Sequence, residues 1–85
     1  MRNLQFTNEA WLDYLFWQQQ DRKTLKKVNE LLVATCREPA CGIGQPEALR
    51  GNLAGLWSRR IDKKNRLVYR VDQDVITILS CRNHY

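Results

Sequence analysis

At 85 residues the chain has room for one hydrophobic core, since a protein of this size buries only about 60 to 65% of its unfolded surface. Hydrophobic residues make up 44% of it, with three Trp, three Tyr and two Phe as bulky anchors, so folding without disulfides is expected. The formal net charge of +5 favours a polyanionic partner, and no stretch approaches the ~20 apolar residues of a membrane span.

The polar opening MRNLQFTNEAW is unlike a signal sequence, and the expectation is a soluble, cytoplasmic protein with a single domain over residues 1–85. RNLQF suits a short strand. Thr7 follows as a helix N-cap, with Glu9 placed to favour the positive end of the helix. From Asn8 to about Gln20, Trp11, Tyr14 and Leu15 fall on one helical face, and Leu12, Phe16 and Trp17 broaden it. That helix is expected to be half buried through its aromatics.

Asp21 caps a second helix, DRKTLKKVNELLVATCRE, in which Leu25, Val28, Leu31, Leu32 and Thr35 form a stripe. Arg22, Lys23, Lys26 and Lys27 face outward, and Pro39 closes the helix. The cysteines, Cys36, Cys41 and Cys81, are odd in number, lack CxxC spacing and have no neighbouring histidine, which argues against a metal site or a disulfide framework. Reduced thiols of a cytosolic protein are expected.

Next, ACGIGQPEALRGNLAG reads as a long irregular connection, a kind of segment that is often functional. Two strands follow, LWSRRI and RLVYRV, joined by DKKN, and DQD then turns into VITILSC. The order β-α-α-β-β-β predicts an α+β fold, with two helices packed on one face of a mostly antiparallel four-stranded sheet.

Alternation within RLVYRV puts Leu67, Tyr69 and Val71 on one face and Arg66, Val68 and Arg70 on the other. If the helices cover the first face, with Trp57 and Ile61 turned into the core, then Ser58 and Arg60 join Arg66 and Arg70 on the open side. The basic excess gathers in this half, at Arg50, Arg59, Arg60, Lys63, Lys64, Arg66, Arg70 and Arg82. A phosphate groove is therefore expected there, with the last strand delivering His84 and Tyr85 to one end of it.

Neither a Ser-His-Asp nor a Cys-His arrangement is evident, and a single histidine excludes two-histidine metal motifs. Glu47, Arg60, Arg66, His84 and Tyr85 remain. A carboxylate, an imidazole and guanidinium groups suit metal-free RNA cleavage by the RNA's own 2′-hydroxyl, which needs a base, an acid and cations around the phosphorane. Tyr85 can stack on a base, an interaction worth about 1 to 3 kcal/mol in single-strand binders. Each residue also has an ordinary reading: a solvated loop glutamate, solubilising strand arginines, a polar chain end. From the residues alone, the reading reaches a basic α+β domain that binds nucleic acid.

The segments PEALRGNLAGLWSRRI, RLVYRV and CRNHY, with the helical run EAWLDYLFWQQQDRKTLKKVNELL, together resemble the YoeB family of bacterial toxins, a branch of the RelE-like group. The resemblance implies a RelE-like fold and a type II toxin that cleaves mRNA in the ribosomal A site, without a cofactor. It also implies an acidic antitoxin partner of the YefM kind. By similarity Glu47 is the general base, His84 the general acid and Arg66 the group that stabilises the transition state. Arg60 and Arg50 contact phosphate, and Tyr85 positions substrate. Gln45, Ala48, Asn65 and Asn83 depart from a frequent lysine, proline, histidine and tyrosine.

Some family members pair as homodimers, for which apolar surface on the first helix is the candidate. By the same resemblance, an antitoxin would switch the enzyme off by covering or dislodging the tail. Two alternatives stay open. One is a toxin of this fold that inhibits a target such as gyrase by binding, although such relatives lack the Glu, Arg and terminal His-Tyr set. The other is a plain basic RNA-binding domain.

Overall fold

The computed structural model of the chain describes residues 1–83. Its elements run β1 Asn3–Phe6, α1 Asn8–Gln20, α2 Arg22–Arg37, β2 Glu47–Ala48, a 3-10 turn Gly51–Leu53, β3 Leu56–Arg60, β4 Arg66–Val71 and β5 Val75–Ser80. Both helices start where the capping residues predict. The Thr7 hydroxyl accepts the Ala10 N–H at 3.1 Å and donates to the Leu79 carbonyl at 3.2 Å, which ties the start of α1 to β5. Asp21 ends one helix and begins the next: its N–H donates to the Trp17 carbonyl, and its carboxylate accepts the Thr24 N–H and hydroxyl. A single extended residue thus joins α1 to α2.

α2 buries the expected stripe at Val28, Leu31, Leu32 and Thr35, extended by Cys36, with Leu25 half-buried against it. α1 is half-buried as expected, through Tyr14, Leu15, Phe16 and Trp17, and departs from expectation at Trp11 and Leu12. Its buried residues are Ala10 and Trp17, with Tyr14 between them half-buried, whereas Trp11 and Leu12 stay 47% and 66% exposed. The small Ala10 allows a close approach to β5. The Trp17 indole then donates to the Cys81 carbonyl at 2.7 Å, giving the polar end of a large ring a partner inside the core.

The sheet has the order β1-β5-β4-β3-β2. β1 lies parallel to β5 and every other pair is antiparallel. Five strands stand where four are expected, because Glu47–Ala48 pairs with Ser58 and Trp57 at the far edge. Two residues after a proline are too few for alternation to announce a strand. β5 carries a bulge at Leu79: Val68 pairs with Ser80, but Tyr69 pairs with Ile78, which bends the strand end.

One face of this sheet packs on the helices through Leu67, Tyr69, Ile76 and Ile78, all fully buried with Val28 and Leu31. Burying each such aliphatic side chain stabilises the fold by about 1.5–3 kcal/mol. Cys36 and Cys81 are buried free thiols and Cys41 is exposed. Burial pushes the Cys81 thiol up to about 12. Among the described residues no helix is long and apolar enough to cross a membrane.

Candidate active site

Residues directly opposite each other on paired antiparallel strands share a face, so the register locates the candidate side chains. Glu47 stands opposite Ser58, Ser58 opposite Val68 and Val68 opposite Ser80, which makes one row across β2, β3, β4 and β5. Arg60 stands opposite Arg66 in the next row. Glu47 and Arg60 are diagonal neighbours across β2 and β3, a spacing of about 7–8 Å that long side chains bridge. All three lie on the face turned away from the helices.

This face is less bare than alternation suggests. Glu47, Arg60 and Arg70 are exposed and Arg66 is half-buried, but Ser58, Val68 and Thr77 between them are buried. Short side chains on central strands lose solvent contact between longer neighbours, so the face is a filled floor with a charged rim. Arg70 lies a row further on, opposite Leu56 and Thr77, and pairs with Asp72 at 3.3 Å.

Arg66 is the most buried of the rim cations. Its Nε is buried and, among the described residues, has no hydrogen-bond acceptor. A guanidinium N–H so placed suits an anionic oxygen, with which an arginine makes its strongest hydrogen bonds. The Arg66 backbone N–H donates to the Asn83 carbonyl at 3.0 Å, and the Asn83 N–H donates to Asn65 Oδ1 at 2.7 Å. Asn83 has φ +66°, a left-handed conformation that asparagine tolerates better than most residues.

The segment leading to the chain end is therefore fixed beside Arg66, and α1 holds it from the other side. Asp13 accepts the Cys81 N–H at 3.0 Å, Trp17 holds the Cys81 carbonyl, and the Arg82 guanidinium lies 3.5 Å from the centre of the Phe16 ring. His84 and Tyr85, the predicted acid and positioning residue, lie outside the described residues. Arg50 is exposed at the start of the 3-10 turn between β2 and β3, beyond the row that holds Glu47. The structure thus gathers Glu47, Arg60 and Arg66, with Arg50 further along the hairpin.

Arg59 corrects the charge map. Counted with the surface field in the sequence, it is fully buried, and its guanidinium donates to Tyr69 Oη at 3.2 Å, Ile43 O at 2.8 Å, Cys41 O at 2.8 Å and Glu38 O. The signal was present: alternation puts Arg59 on the same side as Trp57 and Ile61, but a charged residue is rarely read as core. Burial pushes the Tyr69 phenol up, partly offset by Arg59, and its hydroxyl donates to Pro39 O at 2.6 Å. Among the described residues no group of three His, Cys, Asp or Glu side chains forms a metal cage.

A profile of the "YoeB-like toxin of bacterial type II toxin-antitoxin system" matches residues 6–85. Toxin YoeB of Escherichia coli K12 is 50% identical over 80 residues, covering 94% of this chain and 95% of that one. Among solved structures, the toxin chain of the heterotetrameric YoeB-YefM toxin-antitoxin complex from Staphylococcus aureus superposes with TM-score 0.90 at 48% identity, covering 100% of this chain and 99% of the other. A YoeB dimer from the same organism superposes with TM-score 0.90 at 49% identity, covering 99% and 98%.

Proposed function

The chain belongs to the YoeB-like toxins of bacterial type II toxin-antitoxin systems, and from that membership we propose that it is a ribosome-dependent mRNA endoribonuclease that arrests translation. The observation that carries this reading is the register that puts Glu47 on one face with the Arg60 and Arg66 pair, Arg66 keeping a buried N–H that has no acceptor among the described residues.

In this reading Glu47 takes the proton of the 2′-hydroxyl of the nucleotide on the 5′ side of the scissile phosphate. The 2′ oxygen then bonds to phosphorus, and the bond from phosphorus to the 5′ oxygen breaks. His84 protonates that leaving oxygen. Arg66 and Arg60 hold the negative charge that builds on the non-bridging oxygens, the role for which fixed cations are most effective. The products are a 2′,3′-cyclic phosphate, which hydrolysis converts to a 3′-phosphate, and a 5′-hydroxyl end. Arg50 contacts a neighbouring phosphate and Tyr85 positions the substrate. No metal or cofactor is required for any step.

The partners in this reading are mRNA in the decoding site of the small subunit and an acidic antitoxin resembling YefM, met in the cytoplasm. A second copy of the chain is a further partner. Leu4, Trp11 and Val33 are exposed around a groove completed by Phe6 and Tyr14, an apolar face of the kind that copies of one chain bury together, and the S. aureus relative is described as a dimer.

The deciding experiment programs ribosomes with a defined message and compares the wild type with Glu47→Ala and His84→Ala. We expect cleavage within the A-site codon, reduced about 10²- to 10⁴-fold by each substitution, and none where the scissile nucleotide lacks its 2′-hydroxyl. Cleavage of that deoxy substrate would falsify the mechanism. Growth arrest by a folded wild-type protein that cleaves nothing would support inhibition by binding instead.

A further inference from the structure

We propose that Arg59 is the positioning residue for Glu47, holding the connection after α2 in the one path that brings the carboxylate into register on β2. This deepens the reading above and rests on Glu47 acting as the base.

Between Arg37 and Glu47 the chain has neither helix nor strand, and it turns through left-handed conformations at Gly42, Gly44 and Gln45. Such a segment would ordinarily wander. Here its carbonyls are claimed one after another by β3 and β4. Glu38, Cys41 and Ile43 accept from the Arg59 guanidinium, Pro39 accepts from Tyr69 Oη, and Gly44 accepts the Arg60 N–H at 2.7 Å. Three residues later Glu47 pairs with Ser58.

Among the described residues, none of the hydrogen-bond partners of this buried guanidinium is a carboxylate. A charge removed from water without a counter-ion is tolerated only where fixed dipoles replace the solvent, and here the loop carbonyls and the Tyr69 oxygen supply them. Arginine suits the position because its rigid fork reaches three separated carbonyls at once, which a compact ammonium group does not reproduce. The loop lies close around it: a Cβ on Gly42 would stand 3.5 Å from its Nη1. Because adjacent residues of a strand face opposite sides, the Arg59 side chain sits under the sheet while Ser58 and Arg60 point to the face of Glu47. Arg59 therefore acts through the backbone and never meets the RNA.

The test uses the full chain with Arg59→Lys and Tyr69→Phe, the second deleting one Arg59 acceptor and the Pro39 donor while keeping the ring. Amide exchange is read at Arg60 and Leu49, whose N–H groups bond to Gly44 O and Leu56 O, and at Thr7, bonded to Ile78 O across the sheet. Single-turnover cleavage is measured on programmed ribosomes. We expect exchange about tenfold faster at Arg60 and Leu49 but unchanged at Thr7. The cleavage rate should fall about 10- to 100-fold, with half-saturating ribosome concentration held within about twofold.

An unchanged cleavage rate in a folded Arg59→Lys protein overturns the inference, as does faster exchange at all three amides together, which would assign Arg59 to global stability. Should Arg59→Lys fail to fold, Tyr69→Phe decides by the same readings. A wild type that cleaves nothing sinks the enzymatic reading, and the exchange pattern then decides separately whether Arg59 sets the register of Glu47.

Discussion

Three aspartates show how one carboxyl group can work for or against the fold according to its surroundings. Asp21 is held below its ordinary value by the Thr24 hydroxyl and amide. At Asp62 burial pushes upward, but the Asn65 side chain and the Lys64 and Asn65 amides outweigh it, so its value is lowered too. Asp13 goes the other way, raised above 3.8 chiefly by burial despite the Cys81 N–H. A lowered carboxyl contributes stability that is fully present above the unfolded value of 3.8 and is lost as pH falls through the folded value. A raised one carries a penalty above its folded value that is relieved as pH falls through it. Asp13→Asn keeps an oxygen for the Cys81 N–H and removes the half-buried charge. Its stability relative to wild type should therefore be most favourable at neutral pH and shrink on acidification, in urea titrations at several pH values. Asp62→Ala should be destabilising at neutral pH, with the deficit fading below pH 3.8. Equal differences at all pH values would remove these carboxyls from the account. Asp21 and Thr7 were legible as caps because capping is chemistry between near neighbours. The role of Asp13 was not, because its partner Cys81 lies at the other end of the chain.

At the scale of elements, periodicity located both helices and the three longer strands, and it failed where contact rather than pattern decides. α1 was oriented by its largest side chains, yet its buried positions are set by Ala10 against β5 and by Trp17 reaching Cys81. β2 has too few residues for any pattern and exists because the chain before it is held. That dependence can be tested at Gly44, where φ is +81° and a Cβ would meet Leu31 Cδ2 at 2.7 Å and the Arg60 carbonyl at 3.2 Å. Gly44→Ala is expected to lose about 1–3 kcal/mol in chemical unfolding and to loosen the Glu47 strand. Gly51→Ala, at φ +65° with nothing within 4 Å, carries backbone strain alone and should lose about 1 kcal/mol. Equal losses at both sites would mean that the space around Gly44 plays no part in placing β2.

The whole molecule presents two contrasting surfaces: the charged rim of Glu47, Arg60 and Arg66, and the apolar groove of Leu4, Trp11 and Val33. The self-association proposed for the second should respond to Trp11→Glu, which places a charge in the groove and leaves the rim untouched. In sedimentation analysis the wild type is expected to dimerise and the variant to run as a monomer, with message cleavage retained. A wild type that is monomeric at every concentration would reject this use of the groove. The binding to programmed ribosomes proposed for the other surface should weaken as salt rises, because contacts between cations and phosphates release counterions.

From the sequence alone came the caps, the α2 stripe, the order of the longer strands, the sharing of one face by Arg60 and Arg66, and the resemblance that named the candidate residues. All of these rest on local chemistry or on repeats of two and 3.6 residues, which a linear chain displays. Tertiary structure alone decided that the buried Arg59 finds its partners in the connection after α2, that Glu47 enters the sheet, and that α1 grips the segment before the chain end. Those outcomes join residues as far apart as Trp17 and Cys81 or Glu38 and Arg59, and such contacts exist only once the chain has closed on itself.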